Sequence, residues 1–220
     1  MAKVLETSLD WGVASRALSG QPASGDLHLV RPVRHGALVA VVDGLGHGEE
    51  AAAAARTAIN AIERFAEEDP IELVERCHGL LKGTRGVVLS VARFDQGRDT
   101  MTWLGVGNVE GVLRRASANA KLAPATLIAR GGIVGSALPP LHVVALPVRR
   151  GDALVFATDG IKSGFADHLT DVDPPQRLAD RILERCAKGN DDSLVLVARY
   201  GGGGAGGAGG GGVGGGGGGT

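Results

Sequence analysis

Two Asp-Gly pairs stand where strongly apolar runs end, "VVDG" at 41–44 and "ATDG" at 157–160. Two further aspartates stand beside predicted strand starts, Asp26 in "SGDLHLV" and Asp191 in "GNDDSLVLV". Strand ends on packed sheets hold side chains rigidly, and carboxylates that converge without basic partners repel one another unless a cation lies among them. The four aspartates therefore predict a metal site.

The ligand types indicate which metal and which chemistry to expect. Carboxylates without a zinc-like arrangement of His and Cys favour hard ions such as magnesium or manganese. Two ions that share one carboxylate are typical of phosphoryl hydrolysis, and Asp43 would be the shared ligand. The alternative is that each Asp-Gly is a β-turn and each Asp a helix cap. That alternative explains any one of these residues more readily than it explains all four together.

The glycines of "DGLGHG" (43–48) also suggest a loop that binds phosphate at a helix start. The stretch lacks both the G-x-G-x-x-G spacing of dinucleotide sites and the Lys-Ser/Thr of a P-loop. "GVGNVEG" at 105–111 is predicted to be an ordinary hairpin. His47 lies within the first motif, where it could donate to a phosphate or could bond to the loop backbone. Both interpretations of His47 remain open at this point.

The elements that must position these residues follow from the hydrophobic pattern. Strands are predicted at 9–19, 26–33, 36–44 and 191–200, and further strands are predicted between 85 and 160. Two antiparallel helices are predicted at 48–67 and 71–82, and a third at 175–187. Because strands come in runs with helices between the runs, the pattern favours an α+β fold with antiparallel sheets and helices on their outer faces.

Composition limits the cellular setting and the partners. The chain has 220 residues, 44% of them hydrophobic, which is enough for one sizeable core. The formal charge of -1 gives no reason to expect nucleic acid or an anionic membrane as a partner. Cys77 and Cys186 are too few and too far apart for a zinc motif or a disulfide framework. With no secretory h-region and no long apolar stretch, we expect a cytoplasmic protein.

The chain is predicted to divide into one domain, residues 1–200, and a tail, residues 201–220. The tail is almost entirely glycine. It has almost no side chain to bury and a high backbone entropy to lose, so we expect it to be disordered.

Six motifs in order carry a resemblance to a known family. They are "SGD", "VVDGLGHG", "RGVVLSV", "GVGNV", "ATDG" and "GNDDSLVLV", spread over residues 24–197. Together they resemble the bacterial branch of the metal-dependent type 2C protein phosphatases, the PPM family. The "ERC" of residues 75–77 is similar to that of the short, single-domain phosphatases of the stressosome. The resemblance implies a four-layer α/β/β/α sandwich of two antiparallel sheets, with the ions at one end.

The resemblance also implies roles for particular residues. It makes Asp43 the ligand that bridges two ions and Gly44 the source of a backbone carbonyl ligand. Asp26 would complete the first ion site, and Asp159 and Asp191 would bind the second ion. The residues implied in catalysis are Asp43, Asp159 and Asp191.

Two further roles implied by the resemblance are less direct. His47 and Asp192 are candidates for a second shell around the ions or for phosphate binding. The arginine with which eukaryotic relatives hold the substrate phosphate has no clear counterpart, which leaves Arg16, Arg31 and Arg34 as candidates.

The implied function is a metal-dependent phosphoserine/phosphothreonine protein phosphatase that uses two divalent cations, manganese or magnesium. The implied partners are phosphorylated STAS-domain proteins of a stressosome-type complex, and the enzyme would reset stress signalling as a monomer. One alternative is a phosphatase of an anti-sigma-factor antagonist. Another is a non-catalytic module that binds a phosphorylated STAS protein. Retention of all four aspartates argues against the second alternative, because a binding module has no need of mutually repelling carboxylates.

Overall fold

Ten strands and three α-helices make up the part of the chain that the structure describes. This computed structural model describes residues 9–21, 23–116, 124–168 and 173–202. The strands are β1 Leu9–Arg16, β2 Asp26–Val33, β3 Gly36–Gly44, β4 Val87–Asp95, β5 Thr100–Val106, β6 Glu110–Arg114, β7 Ala125–Leu127, β8 Val144–Pro147, β9 Ala153–Ala157 and β10 Ser193–Tyr200. The helices are α1 Glu49–Arg64, α2 Pro70–Leu81 and α3 Pro175–Cys186, and a short 3-10 helix spans Phe165–His168. Most of the predicted tail lies outside the described residues.

The strands form two five-stranded sheets in which every neighbouring pair is antiparallel. Sheet I has the order β1-β10-β9-β6-β7, and sheet II has the order β2-β3-β4-β5-β8. Phe94, Phe156 and Leu196 are buried in a cluster that draws on both sheets. The two sheets therefore pack face to face around a shared core.

Helices cover the outer face of each sheet. In α1, Ala55, Ala58 and Ile62 recur at helical spacing and are buried with residues of sheet II. Asp69 caps the N-terminus of α2, because its Oδ1 accepts a hydrogen bond from the Ile71 amide at 2.9 Å. The apolar face of α3 includes Leu178 and Ile182, which are buried with residues of sheet I. The predicted four-layer α/β/β/α sandwich is confirmed.

The region between β6 and β9 departs from the predicted strands. Of the segment 125–132 only Ala125–Leu127 forms a strand, and it lies at an edge of sheet I. After Leu127 the chain makes isolated bridges to sheet II, Arg130 with Val106 and Val134 with Val87. Two consecutive glycines, 131 and 132, supply no side chain to pack on a sheet, so the chain leaves one sheet and crosses to the other.

A buried ion pair joins the ends of β6 and β9. Arg115 and Asp152 are 8% and 1% exposed, and the Arg115 Nη1 lies 2.8 Å from the Asp152 Oδ2. The same carboxylate accepts the backbone amides of Ala116 at 3.0 Å and Arg149 at 3.1 Å. Asp152 therefore holds together two chain segments that sequence order does not bring together.

We expect Asp152→Ala to lower the free energy of unfolding by about 3–5 kcal/mol, because it leaves a buried guanidinium without its counter-charge. Urea denaturation measures the loss. Arg98→Ala is the matched control, since it removes a pair with Asp95 in which the arginine side chain is 82% exposed. The control should cost less than about 1 kcal/mol. Equal losses in the two variants would contradict a structural role for the Arg115–Asp152 pair.

Candidate metal centre and active site

Asp26 and Asp43 lie directly opposite each other on neighbouring strands. Asp26 begins β2, Asp43 is the next-to-last residue of β3, and the register pairs them. Side chains of directly opposed residues point to the same face of a sheet, with Cβ atoms about 4.5–5.5 Å apart. Asp26 is only 4% exposed, and Asp43 is half-buried. Two carboxylates thus share one end of sheet II.

Sheet I brings two more carboxylates to the same place. Asp159 follows β9, and Asp191 precedes β10, the neighbour of β9 in sheet I. A cleft of about 110 Å³ is lined by Asp43, Leu45, Gly46, Val88, Asn108, Asp159 and Asp191. Asp26 is tied to this region because its Oδ2 accepts a hydrogen bond from the Thr158 hydroxyl at 2.7 Å. The four sequence-predicted aspartates therefore meet at one end of the sandwich.

The electrostatics of the cluster are those of carboxylates without a counter-charge. The pKa of Asp26 is raised from 3.8 to about 7, mainly by burial; the hydrogen bond from Thr158 lowers it, and the charges of Asp192, Asp159 and Asp191 add to the rise. Burial, followed by the charge of Asp26 and of the other three aspartates, raises the pKa of Asp43 from 3.8 to about 8. A cation at this position would favour the charged form of both groups.

Asp192 fixes the backbone that leads into Asp26. It is 4% exposed, and its two carboxylate oxygens accept the amides of Leu18 and Gly25, each at 2.7 Å. Gly25 in turn accepts the Gly44 amide at 3.0 Å. Asp192 thus links the start of β10 to the residue before Asp26 and, through Gly25, to the end of β3. Of the two possibilities raised for it, the geometry favours support of the predicted metal ligands over contact with a phosphate.

Gly44 follows Asp43 for a packing reason. A Cβ atom at Gly44 would lie 2.2 Å from the backbone oxygen of Ala51, in the first turns of α1. The helix can approach the end of β3 only because this position has no side chain. The same close approach recurs in the second Asp-Gly pair, where a Cβ at Gly160 would lie 1.9 Å from the Asp192 oxygen.

Sequence reasoning missed three residues that hold the aspartates. Thr158 bonds to Asp26, Asn108 Nδ2 donates to Asp159 Oδ2 at 2.8 Å, and Lys188 Nζ donates to the Asp159 carbonyl at 2.5 Å. Thr158 and Asn108 lie within the quoted motifs "ATDG" and "GVGNV", which was the available signal. The prediction of a hairpin at 105–111 is wrong, because β5 belongs to sheet II and β6 to sheet I; this turn instead connects the two sheets and supplies the Asn108 side chain to the cleft.

The candidates for phosphate binding are dispersed. His47 is exposed and is not one of the residues that line the cleft. Arg31 pairs with Glu63 at 3.0 Å and lies five residues along β2 from Asp26, roughly 17 Å away at the rise of a strand. Arg34 lies beyond the end of that strand. Only Arg16, whose register partner is Ser193, lies at the same end of the sandwich as the cleft.

The aspartate side chains share one end of the sandwich, but their oxygens are not arranged around a single ion position. Among the residues that the structure describes, no group of three or more Asp, Glu, His or Cys side chains is arranged to hold a metal ion. The donor set still suits magnesium or manganese, because it consists of carboxylate and carbonyl oxygens. Separately, no helix within the described ranges is long and apolar enough to cross a membrane.

A four-layer sandwich with an acidic cleft at one end of its two sheets is the architecture of the PPM, or type 2C, phosphatase class. Residues 34–201 match the family model for "Stage II sporulation protein E (SpoIIE)". The chain belongs to this family.

Individual relatives agree with this assignment. Over 98 residues the chain is 30% identical to "Phosphoserine phosphatase RsbX" of Bacillus subtilis (strain 168), a match that covers 44% of this chain and about half, 49%, of that protein. A chain from the structure "The bacterial stressosome: a modular system that has been adapted to control secondary messenger signaling" superposes with a TM-score of 0.80 at 32% identity, over 87% of this chain and 99% of that one. RsbX in complex with magnesium shares the fold, with a TM-score of 0.77 at 20% identity over 87% and 94% of the two chains.

We expect Thr158→Val to weaken manganese binding about tenfold, because Asp26 loses the donor that orients it. Titration calorimetry with manganese chloride measures the affinity. Thr158→Ser keeps the hydroxyl and serves as the control, with an affinity close to that of the unmodified protein. The variant should also lose about 1–3 kcal/mol of stability, since the buried Leu194 amide donates to the same hydroxyl at 2.8 Å. Undiminished manganese affinity in Thr158→Val would contradict the orienting role.

Proposed function

We propose that this chain is a metal-dependent phosphoserine/phosphothreonine protein phosphatase. The observation that carries the proposal is the meeting of Asp43, Asp159 and Asp191, from two different sheets, in one cleft of a SpoIIE-family chain. The 30% identity to a phosphoserine phosphatase over 98 residues supports the reaction class. We assign the phosphatase domain to residues 1–200, followed by the Gly-rich tail.

The proposed ligands of two manganese or magnesium ions are Asp26, Asp43, the Gly44 carbonyl, Asp159 and Asp191. Their fit to such ions rests on the all-oxygen donor set and on the raised pKa values of Asp26 and Asp43, which a cation would lower. When bound, the ions would supply an activated water molecule and positive charge for the phosphate oxygens. We expect the carboxylates to draw closer together around them.

The protein's own residues would contribute positioning. Asp43 lies on β3, which is hydrogen-bonded to β2 on one side and to β4 on the other, so its backbone is held by both neighbouring strands. Thr158 orients Asp26, and Asn108 orients Asp159. Leu45 and Val88 contribute apolar side chains to the lining of the same cleft. Fixed carboxylates in a partly apolar cleft suit phosphoryl transfer, in which catalysis consists mainly of positioning and electrostatic stabilisation.

The proposed substrates are phosphorylated STAS-domain proteins of a stressosome-type complex, in which the enzyme would reset stress signalling. The RsbX match and the similarity to a chain of a stressosome structure support this choice. We propose a cytoplasmic enzyme that acts as a monomer.

The test is manganese-dependent release of phosphate from phosphorylated STAS proteins, run beside p-nitrophenyl phosphate. We expect release from both, with a higher kcat/KM for the phosphoprotein. Phosphate could instead be released from the small ester and from a phosphorylated anti-sigma-factor antagonist, but not from stressosome proteins. That result would identify the antagonist as the substrate and overturn the stressosome assignment. Binding of phosphoprotein without release in manganese or magnesium would make the chain a binding module and overturn the enzymatic proposal.

A further inference from the structure

Arg85, the first residue of the quoted motif "RGVVLSV", lies beside the cleft and is not one of the proposed metal ligands. It precedes β4, and its Nη1 lies 2.8 Å from the position that a Cβ atom on Gly46 would occupy. Gly46 lines the cleft together with Asp43 and Asp159. Gly46 has a φ of 85°, which side chains rarely adopt, and the missing side chain leaves room for the guanidinium. A cationic group therefore lies against the wall of an acidic cleft.

Backbone hydrogen bonds fix Arg85 relative to the cleft. The Leu45 amide donates to the Gly86 carbonyl at 3.1 Å, which joins the 45–46 turn to the residue after Arg85. The Gly86 amide donates to the Thr84 hydroxyl at 3.0 Å. The distance between Arg85 and the cleft is thus set by the fold of both segments rather than by the arginine side chain alone.

Glu50 orients the guanidinium. The Nε of Arg85 donates to Glu50 Oε2 at 2.5 Å from the first turn of α1. Within the described residues, no protein acceptor lies within hydrogen-bond distance of the two η nitrogens, so their four N–H groups are available to a ligand. The guanidinium edge that carries Nη1 is the one that lies against Gly46. Glu50 thus occupies one edge of the guanidinium and leaves the cleft-side edge to a ligand.

We propose that Arg85 binds the phosphate group of the substrate and that Glu50 is its positioning residue. This inference rests on the proposed phosphatase function. A planar guanidinium whose two η nitrogens are both available matches the oxygens of a phosphate monoester, which Arg can contact in bidentate fashion. Arg31 and Arg34 lie too far along β2 or beyond its end, and the Lys188 ammonium is bonded to the Asp159 carbonyl. Arg16 lies at the same end of the sandwich, but Arg85 is the arginine whose guanidinium lies against Gly46 of the cleft lining. Arg85 therefore supplies the cation that the cleft needs on its outer side.

The experiment compares Arg85→Ala and Arg85→Lys with Arg56→Ala. Arg56 is a matched control, because it also lies outside the cleft lining and pairs with an exposed glutamate of α1, Glu49, at 3.6 Å. Steady-state kinetics are measured with a phosphoserine peptide and with p-nitrophenyl phosphate. Binding of inorganic phosphate in the presence of manganese is measured by calorimetry, which does not depend on turnover.

We expect Arg85→Ala to raise the KM for both substrates and the Kd for inorganic phosphate about tenfold, while kcat changes much less. Arg85→Lys should recover part of the loss, because it keeps the charge without the bidentate geometry. Glu50→Gln should raise the same constants about two- to fivefold. Arg56→Ala should leave all of them unchanged.

Other outcomes separate this inference from the proposed function. If turnover and phosphate binding are equal in the unmodified protein and in Arg85→Ala, the role of Arg85 is overturned and the proposed phosphatase function is not affected. A rise in KM for the peptide but not for the small ester or for inorganic phosphate would show that Arg85 contacts another part of the substrate. Phosphate binding that depends on Arg85 in a protein without turnover would refute the phosphatase proposal and keep the phosphate site.

Discussion

Asp43→Asn should lower phosphatase turnover by at least about a thousandfold, because it removes the charge shared by both proposed ion sites. The strand that carries Asp43 should stay intact, since β3 is paired on both sides along its length. Added manganese should restore little activity. Turnover of a phosphoserine peptide over a range of manganese concentrations measures the effect. Asp10→Asn, at the exposed start of strand β1 and away from the cleft, is the control and should retain full activity.

The same variant should be no less stable than the unmodified protein when metal is absent. The folded-state pKa of Asp43 is raised to about 8 from 3.8, first by burial and then by the neighbouring carboxylates. Its contribution to stability is therefore fully present below about pH 4 and is lost as pH rises through about 8. Because Asn stays neutral, metal-free Asp43→Asn should match the unmodified protein near pH 4 and exceed it near pH 8.

Thermal unfolding in a chelator at these two pH values measures the difference. A variant that unfolds yet binds metal normally would make Asp43 a structural residue. A folded variant with near-normal turnover of phosphoprotein would end the two-metal proposal.

Gly160→Ala should lower both stability and activity. The added Cβ would lie 1.9 Å from the Asp192 carbonyl oxygen and 2.5 Å from the Ser193 hydroxyl, so the backbone around Asp159 must move away from β10. Overpacking of this kind costs about 1–3 kcal/mol, and a displacement of about 1 Å at a catalytic group can lower turnover about a hundredfold. Urea denaturation and kcat measure the two effects.

Gly79→Ala is the matched control for this substitution. Gly79 is an exposed residue of α2, and a Cβ there would have nothing within 4 Å. Alanine should therefore raise the free energy of unfolding by about 0.5–1 kcal/mol and leave turnover unchanged. If Gly160→Ala had the same stability and turnover as Gly79→Ala, the close approach of the second Asp-Gly pair to β10 would not be needed for stability or for activity.

The positions of the four aspartates and the fold class were predictable from the sequence alone. Apolar runs that end in Asp-Gly locate strand ends, and the grouping of strands indicates antiparallel sheets with helices outside them. The alanine-rich face of α1 and the period of α3 likewise identify the helices and their buried sides. These signals are local, because hydrophobic periodicity and glycine placement act within one element.

Only the tertiary structure decided how the aspartates are held and what lies beside them. The hydrogen bond between Thr158 and Asp26 joins residues 132 positions apart, and that between Gly25 and Asp192 spans 167 positions. Such contacts depend on strand order, which places β10 between β1 and β9, and on the face-to-face packing of the two sheets, which brings their strand ends together at the cleft. Arg85 shows the same dependence, because neither its residue type nor its neighbours in sequence indicate that it lies against Gly46. Local pattern determines where a strand ends, whereas long-range packing determines which other ends it meets.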